Sequence, residues 1–382
     1  MSDAKVTNLG SKSGEGLEDV IAASSSICSI EDGILRYRGI NIHELAQKSN
    51  FYEVIYLIWN GSLPNQAQLN ALSQDIDANL DLPEAILKAL KSTFPKAANF
   101  MDVLRTSVSL MGCYDPDAAD NSEAANRKKS LRLIAQLPTL IASWEHIRNH
   151  REPVHPKKGL GLAANFLYML RGKEASELEV RAFDQALVLH ADHEFNASTF
   201  CARVTASTLS DMHSAITSAI GTLKGPLHGG ANQRVMETLL KIGEPGNVEK
   251  YLNDAFAKKD RIMGFGHRVY KNGDPRAIEL RKMSEALGRE KANLKWYEIS
   301  GLVEKYVKEK KGLLPNVDFY SASVYYTLGI PFDVYTPIFA MSRMSGWTAH
   351  VMEQLTHNRL LRPRADYTGV REASYVPMSA RA

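Results

Sequence analysis

Past residue 38 this chain offers no convincing strand. Helical spacing of apolar residues, rich in Ala and Leu, runs from Asn41 to about residue 357. That restricts the fold to packed helices. The exception lies near the start. Ser24-Ser25-Ser26-Ile27-Cys28-Ser29-Ile30, the acidic turn Glu31-Asp32-Gly33 and Ile34-Leu35-Arg36-Tyr37-Arg38 predict a short β-hairpin. Asn41 is placed to cap a helix through Glu44 and Leu45. Tyr52 to Trp59 is apolar at helical spacing and stops at Asn60-Gly61, a C-cap, and Pro64 suits the first turn of the next helix. Helices are predicted over about 83–94, 101–112, 122–136, 139–149, 160–171, 175–192, 197–209, 211–222, 231–241, 246–258, 275–287, 293–311, 318–328, 334–344 and 347–357. Many are apolar on more than one face and should be buried all round.

A chain of 382 residues exceeds one ordinary core, so two domains are expected. The helical pattern breaks at Gly225-Pro226-Leu227-His228-Gly229-Gly230, becomes more charged, breaks again at Ile262-Met263-Gly264-Phe265-Gly266-His267, and turns apolar from Pro315. Residues 225–326 therefore read as a smaller helical domain inserted into a larger one, residues 1–224 and 327–382. Residues 1–17 are polar and predicted to be frayed. They lack the apolar core of a secretory signal and carry Glu15. No run of about 18 apolar residues is present to span a membrane. A formal charge of +3 gives no electrostatic case for nucleic acid. Cys28, Cys113 and Cys201 are far apart and fit no zinc spacing; they predict a reducing cytosol.

Three segments place ionisable residues on Gly- or Pro-rich backbone. They are Gly225 to Gly230 with His228, Met263 to Tyr270 with His267, and Leu314-Pro315-Asn316-Val317-Asp318-Phe319-Tyr320 with Asp318. Taken singly, each has an ordinary explanation: a histidine packing a turn, or an aspartate capping a helix. Together they form an acid–base set. A carboxylate removes a proton from carbon only if the developing enolate is stabilised at once. One histidine can donate to that oxygen; a second can polarise an electrophilic carbonyl. Lys271, Arg276, Arg343 and Arg362 supply cations, and arginine forks suit carboxylates. Other patterns point elsewhere. His190-Ala191-Asp192-His193-Glu194 is neither HExxH nor HxxEH, so no metal is expected. Gly159 to Ala164 matches a loose GxGxxA but follows no strand, so no dinucleotide site is expected. Lys305 to Lys311 reads as a solvated helix face.

These three segments, with Asp274-Pro275-Arg276, Arg36-Tyr37-Arg38-Gly39 and Ala191-Asp192-His193-Glu194, resemble the citrate synthase family from about Ile30 to Tyr367. The resemblance implies a helical large domain, a small domain and a cleft that closes. It implies an acyltransferase of the citrate (Si)-synthase type, which converts acetyl-CoA and oxaloacetate to citrate and CoA, the first step of the tricarboxylic acid cycle. Asp318 would abstract the methyl proton, His228 would hold the thioester oxygen, and His267 would polarise the oxaloacetate carbonyl. His193, Arg276 and Arg343 would bind the oxaloacetate carboxylates, and Arg362 would reach across a dimer interface. Lys271 would lie near the CoA phosphates, where some branches use Arg. Ile262, Met263, Gly264, Phe265 and Gly266 would line the adenine. The resemblance further implies a cytoplasmic homodimer or higher homo-oligomer, prokaryotic in type, needing no metal or redox cofactor, with no nucleic-acid or membrane partner. Two alternatives share the sequence pattern: a 2-methylcitrate synthase using propionyl-CoA, and a non-catalytic, self-assembling homologue.

Overall fold

The computed structural model describes residue 17, residues 20–267 and residues 269–381. Most of the predicted frayed start, residues 1–16, and Arg268 of the second Gly-rich segment lie outside them. The hairpin forms as Cys28–Glu31 (β1) against Ile34–Tyr37 (β2), antiparallel, with Ile30 opposite Leu35. Asp32 and Gly33 both take positive φ, 53° and 75°, as a two-residue hairpin turn matched to the strand twist requires. A third strand, Ile40–Asn41 (β3), pairs with β2. At two residues it is too short for any alternation to announce it.

The rest of the framework is helical: α1 (Ile42–Lys48), α2 (Phe51–Asn60), α3 (Gln66–Asp77), α4 (Glu84–Ser92), α5 (Phe100–Tyr114), α6 (Glu123–Arg148), α7 (Leu162–Arg171), α8 (Glu177–His190), α9 (Ala197–Ser207), α10 (Met212–Leu223), α11 (Ala231–Ile242), α12 (Val248–Ala257), α13 (Pro275–Glu290), α14 (Lys295–Lys311), α15 (Val317–Thr327) and α16 (Tyr335–Thr356). The predicted mainly helical class is the observed one. Asn41 caps α1, and Gly61 closes α2 in the left-handed region at φ 86°. Pro64 lies outside its helix; Asn65 caps α3, its side chain accepting from Gln68 N.

Two predicted breaks do not occur. The helices expected over 122–136 and 139–149 are one, α6, with Pro138 inside it. Proline within a helix costs about 3 kcal/mol. Leu133, Ile134, Leu137, Leu140, Ile141 and Trp144 are all buried around it, and each contributes about 1.5–3 kcal/mol. Packing therefore outweighs the lost hydrogen bond. Likewise 334–344 and 347–357 are one helix, α16, which passes straight through Gly346. The residue is glycine because α16 presses against the loop after α8. Its N–H donates to Ala191 O at 3.2 Å, and a Cβ would stand 2.5 Å from that oxygen and closer still to Asp192 Oδ1.

Helix α16 packs on α6, α8, α9 and α10 and forms the centre of the core. Helices α11 to α15 pack on one another, and α13 and α15 also reach α8. The end of α8 and the starts of α9, α13 and α15 thus face one region. Among the described residues no helix is long and apolar enough to cross a membrane. Replacing Gly346 with Ala should lower stability by about 1–3 kcal/mol. Urea unfolding should show a lower midpoint at unchanged m; an unmoved midpoint would contradict the close approach.

Candidate active site

The three Gly/Pro-rich segments are helix junctions. His228 sits in the turn from α10 to α11, His267 in the loop from α12 to α13, and Asp318 in the first turn of α15. The last two are stitched together. Gly266 N donates to Leu314 O and Asn316 N to Gly264 O, both at 2.9 Å. Asn316 Nδ2 adds a bond to Gly266 O at 3.0 Å. Gly264 permits this: its φ is 83° and a Cβ would lie 2.7 Å from Val235 Cγ2. Asn316, not Asp318, caps α15 by accepting from Asp318 N at 3.1 Å. That leaves the Asp318 carboxylate free of a capping role, and its Oδ1 is buried without a partner among the described residues.

Backbone amides fix the histidine tautomers. A backbone N–H can only donate, so the ring nitrogen it meets must carry a lone pair. Ser198 N donates to His228 Nε2 at 3.3 Å, and Ser198 Oγ lies 2.8 Å from the same atom. The hydrogen of His228 therefore sits on Nδ1. Trp347 Nε1 donates to Ser198 Oγ and holds that serine in place. In His267 the arrangement is reversed. Val269 N and Tyr270 N donate to Nδ1 at 3.0 and 3.3 Å, leaving the hydrogen on Nε2. Burial pushes both rings down to about 4, helped by Arg343 at His228 and by Arg276 at His267. Both are neutral donors at neutral pH.

Two guanidiniums frame the site. Arg276 is 2% exposed and forks onto Asp274, with Nε to Oδ1 at 2.9 Å and Nη2 to Oδ2 at 2.7 Å. Burial alone would raise the Asp274 carboxyl, but Arg276 outweighs it and holds the group below its usual range. Asp274 also caps α13 and accepts Val317 N at 3.0 Å, tying the starts of α13 and α15. Arg343 is 1% exposed, donates through Nε to His190 O at 2.8 Å and lies over the Phe339 ring at 4.8 Å. Its Nη1 is unpartnered among the described residues, and burial lowers it to about 10. His193 accepts or donates at Nε2 to Tyr270 Oη, 3.0 Å away, and its ring lies 5.2 Å from that of His267. Burial first, then Arg276 and His267, push it well below the ordinary histidine range. Asp318 moves the other way: burial raises it to about 7 against the pull of Arg276 and Arg343. The arrangement is one proton-accepting carboxyl, two neutral imidazoles of opposite tautomer, and a cationic wall suited to carboxylates.

Residues 16–364 match the family described as citrate synthase, C-terminal domain. The chain belongs to the citrate synthase family. It is 52% identical over 367 residues to citrate synthase 2 of Bacillus subtilis, covering 96% of this chain and 99% of the relative. It is 41% identical over 388 residues to 2-methylcitrate synthase 1 of Corynebacterium glutamicum, covering all of both. Its fold is similar to that of the citrate synthase of the archaeon Thermoplasma acidophilum, solved as a ternary complex with carboxymethyl coenzyme A and oxaloacetate. The TM-score there is 0.89 at 34% identity, covering 96% of this chain and 99% of the other. This citrate synthase family member is accordingly an enzyme of the acyltransferase type.

Of the predicted site residues, the structure gathers His193, His228, His267, Arg276, Asp318 and Arg343 around one another. Gly264 and Phe265 are buried, with Ile262, Met263 and Gly266 half-buried beside them, and Lys271 is exposed. Arg362 is elsewhere. It is exposed and lines a cavity of about 810 Å³ between residues 22–26 and the C-terminal segment. Glu194 of the His-rich stretch turns away to accept Ile30 N at 2.6 Å. Sequence reasoning passed over Ser198, Tyr270 and Trp347 as parts of the site. Asn196-Ala197-Ser198 announces only a helix start, and nothing in it points across to His228. The imidazoles should not titrate between about pH 5.5 and about pH 8. Nitrogen-15 NMR of labelled histidines, assigned with His228→Gln and His267→Gln, should show hydrogen on Nδ1 of His228 and on Nε2 of His267. A cationic ring at either position near pH 6 would overturn that assignment.

Proposed function

We propose that this chain condenses acetyl-CoA with oxaloacetate and hydrolyses citryl-CoA to citrate and CoA, the first step of the tricarboxylic acid cycle. One observation carries the chemistry: a carboxyl near pH 7 stands beside two neutral imidazoles whose free N–H groups are set by backbone. Asp318 takes a proton from the acetyl methyl. His228 Nδ1–H donates to the thioester oxygen and holds the enol. The enol carbon attacks the oxaloacetate carbonyl carbon as His267 Nε2–H polarises that oxygen and passes it a proton. Transfer of the methyl proton from Asp318 through water restores His267. Water then cleaves the thioester and CoA leaves. In that hydrolysis the hydroxyl goes to the acyl carbon and the remaining proton to the CoA sulfur. The steps use only these side chains and water, so this reading requires no metal and no redox cofactor. A raised carboxyl suits a general base working near neutrality, and donors held in place cost no reorganisation at the transition state.

Arg276, Arg343 and His193 bind the two carboxylates of oxaloacetate in this reading, and Ile262 to Gly266 with Lys271 receive CoA. Residues 225–326 act as the small domain closing on the rest, in keeping with the mutual packing of α11 to α15. The working unit is a homodimer in the cytoplasm. Arg362, remote from its own cluster, serves the partner's site. Leu360, Tyr367, Val370, Tyr375 and Met378 are exposed along the same C-terminal segment, as expected of a surface that a second copy covers. The three free thiols fit a reducing compartment. Acetyl-CoA is preferred to propionyl-CoA because the relative named for citrate is more similar than the one named for 2-methylcitrate, 52% against 41%.

Thiol release from acetyl-CoA plus oxaloacetate tests the activity, and a folded protein that releases none refutes it. A higher kcat/KM with propionyl-CoA would reassign the substrate. Asp318→Asn should cut kcat by about 10²–10⁴ with the fold intact; near-normal turnover would remove Asp318 from the mechanism. The base works only when deprotonated, so kcat/KM for acetyl-CoA should fall as pH drops through about 7. A flat profile from about pH 5.5 to about pH 8 would exclude Asp318 as the free-enzyme base.

A further inference from the structure

Behind the oxaloacetate side of the site runs a polar chain that the reaction does not touch. His350, on α16, is fully buried, and its Nε2 lies 3.2 Å from Oδ2 of Asp192, itself fully buried. On the other side of the ring, Arg203 Nη1 meets His350 Nδ1 at 3.1 Å. A guanidinium only donates, so Nδ1 carries the lone pair and Nε2–H donates to Asp192. The imidazole is thereby locked between a cation and an anion in one tautomer. Arg203 is 3% exposed and also donates to Glu353 Oε2 at 2.7 Å and Gln354 Oε1 at 3.1 Å. Its guanidinium lies 4.7 Å over the Phe195 ring, which also packs edge-on to His350.

The two ends of this chain attach to the two halves of the site. Asp192 precedes His193, and its backbone is held by Tyr37 Oη, which donates to Asp192 O at 3.0 Å. Arg203 lies on α9, whose first turn presents Ser198 to His228. We propose that Asp192, His350 and Arg203 are positioning residues that hold the His193 loop and the His228 support in one fixed relation. This rests on the reading of the site given above. The Asp192 carboxylate is also the foremost of the groups that offset the burial of Arg343. A slip of the chain would therefore move both an oxaloacetate contact and the field around another.

His350→Gln keeps an acceptor toward Arg203 and a donor toward Asp192, whereas His350→Leu removes both. Oxaloacetate binding by titration calorimetry, kcat and the thermal midpoint are measured for both variants of the full chain. His350→Leu should weaken oxaloacetate binding by about tenfold or more, and His350→Gln should stay within about threefold of wild type. Loss of stability alone would lower the thermal midpoint and leave the oxaloacetate constant unchanged; that result overturns the proposal. So does a glutamine variant as impaired as the leucine one. If His350→Leu does not fold, Arg203→Met takes its place, with a several-fold weaker constant expected and an unchanged one overturning the assignment. Wild-type protein that neither binds oxaloacetate nor releases CoA refutes the catalytic reading and this inference with it. Wild-type turnover with normal binding in His350→Leu refutes only the positioning role of Asp192, His350 and Arg203.

Discussion

A guanidinium taken out of water without a carboxylate on it is costly, and the site is organised around one. Arg343 has lost nearly all contact with solvent and, among the described residues, keeps a single hydrogen bond, to a backbone carbonyl. Its partner cation, Arg276, is neutralised at once by Asp274. The difference matters because desolvation of an ion exceeds what one carbonyl returns. Neighbouring groups respond in a consistent direction. Burial drives His193, His228 and His267 to their neutral forms, and the nearby guanidiniums add to the push. The same surroundings favour a dicarboxylate, whose charge would complete what the protein leaves unbalanced.

Neutral imidazoles are useful only if their hydrogens point the right way. Here rotation and tautomer are both set by main-chain amides, at Ser198 for one ring and at Val269 and Tyr270 for the other. Backbone cannot change rotamer, so these donors arrive pre-oriented. The stitching of Gly264 and Gly266 to Leu314 and Asn316 does the same for the carboxylate. It fixes the His267 loop and the start of α15 as one piece. Any closing motion must therefore carry Asp318 and His267 together.

Much of the fold was legible in the residues. The hairpin turn at Asp32-Gly33, the caps at Asn41 and Gly61, and the breaks before α11 and α13 follow from local backbone preferences. The misreadings share a cause. Pro138 and Gly346 look like helix ends because local propensity disfavours them in a helix, yet tertiary burial at one and close backbone contact at the other overrule that preference. Among site residues, those on Gly- or Pro-rich backbone stood out, since such backbone is rarely spent on a histidine or aspartate without need. Ser198, Trp347 and His350 sit inside ordinary helices and carried no such mark.

By itself the sequence determined that the chain is helical, where it turns, and which ionisable residues occupy the turns, because periodicity and φ/ψ preferences act within a few residues. It could not determine charge states or tautomers. Those depend on water being excluded and on which amide faces which ring nitrogen. Only the tertiary structure decided that Asp318 sits near pH 7, that His228 and His267 are neutral with opposite hydrogens, and that Asp192 and Arg203 meet across His350. Apart from the hydrogen on His267, which the neighbouring amides of Val269 and Tyr270 set, those facts come from atoms far apart in the chain, brought together by the packing of α16 against α8 and α9 and of α13 against α15.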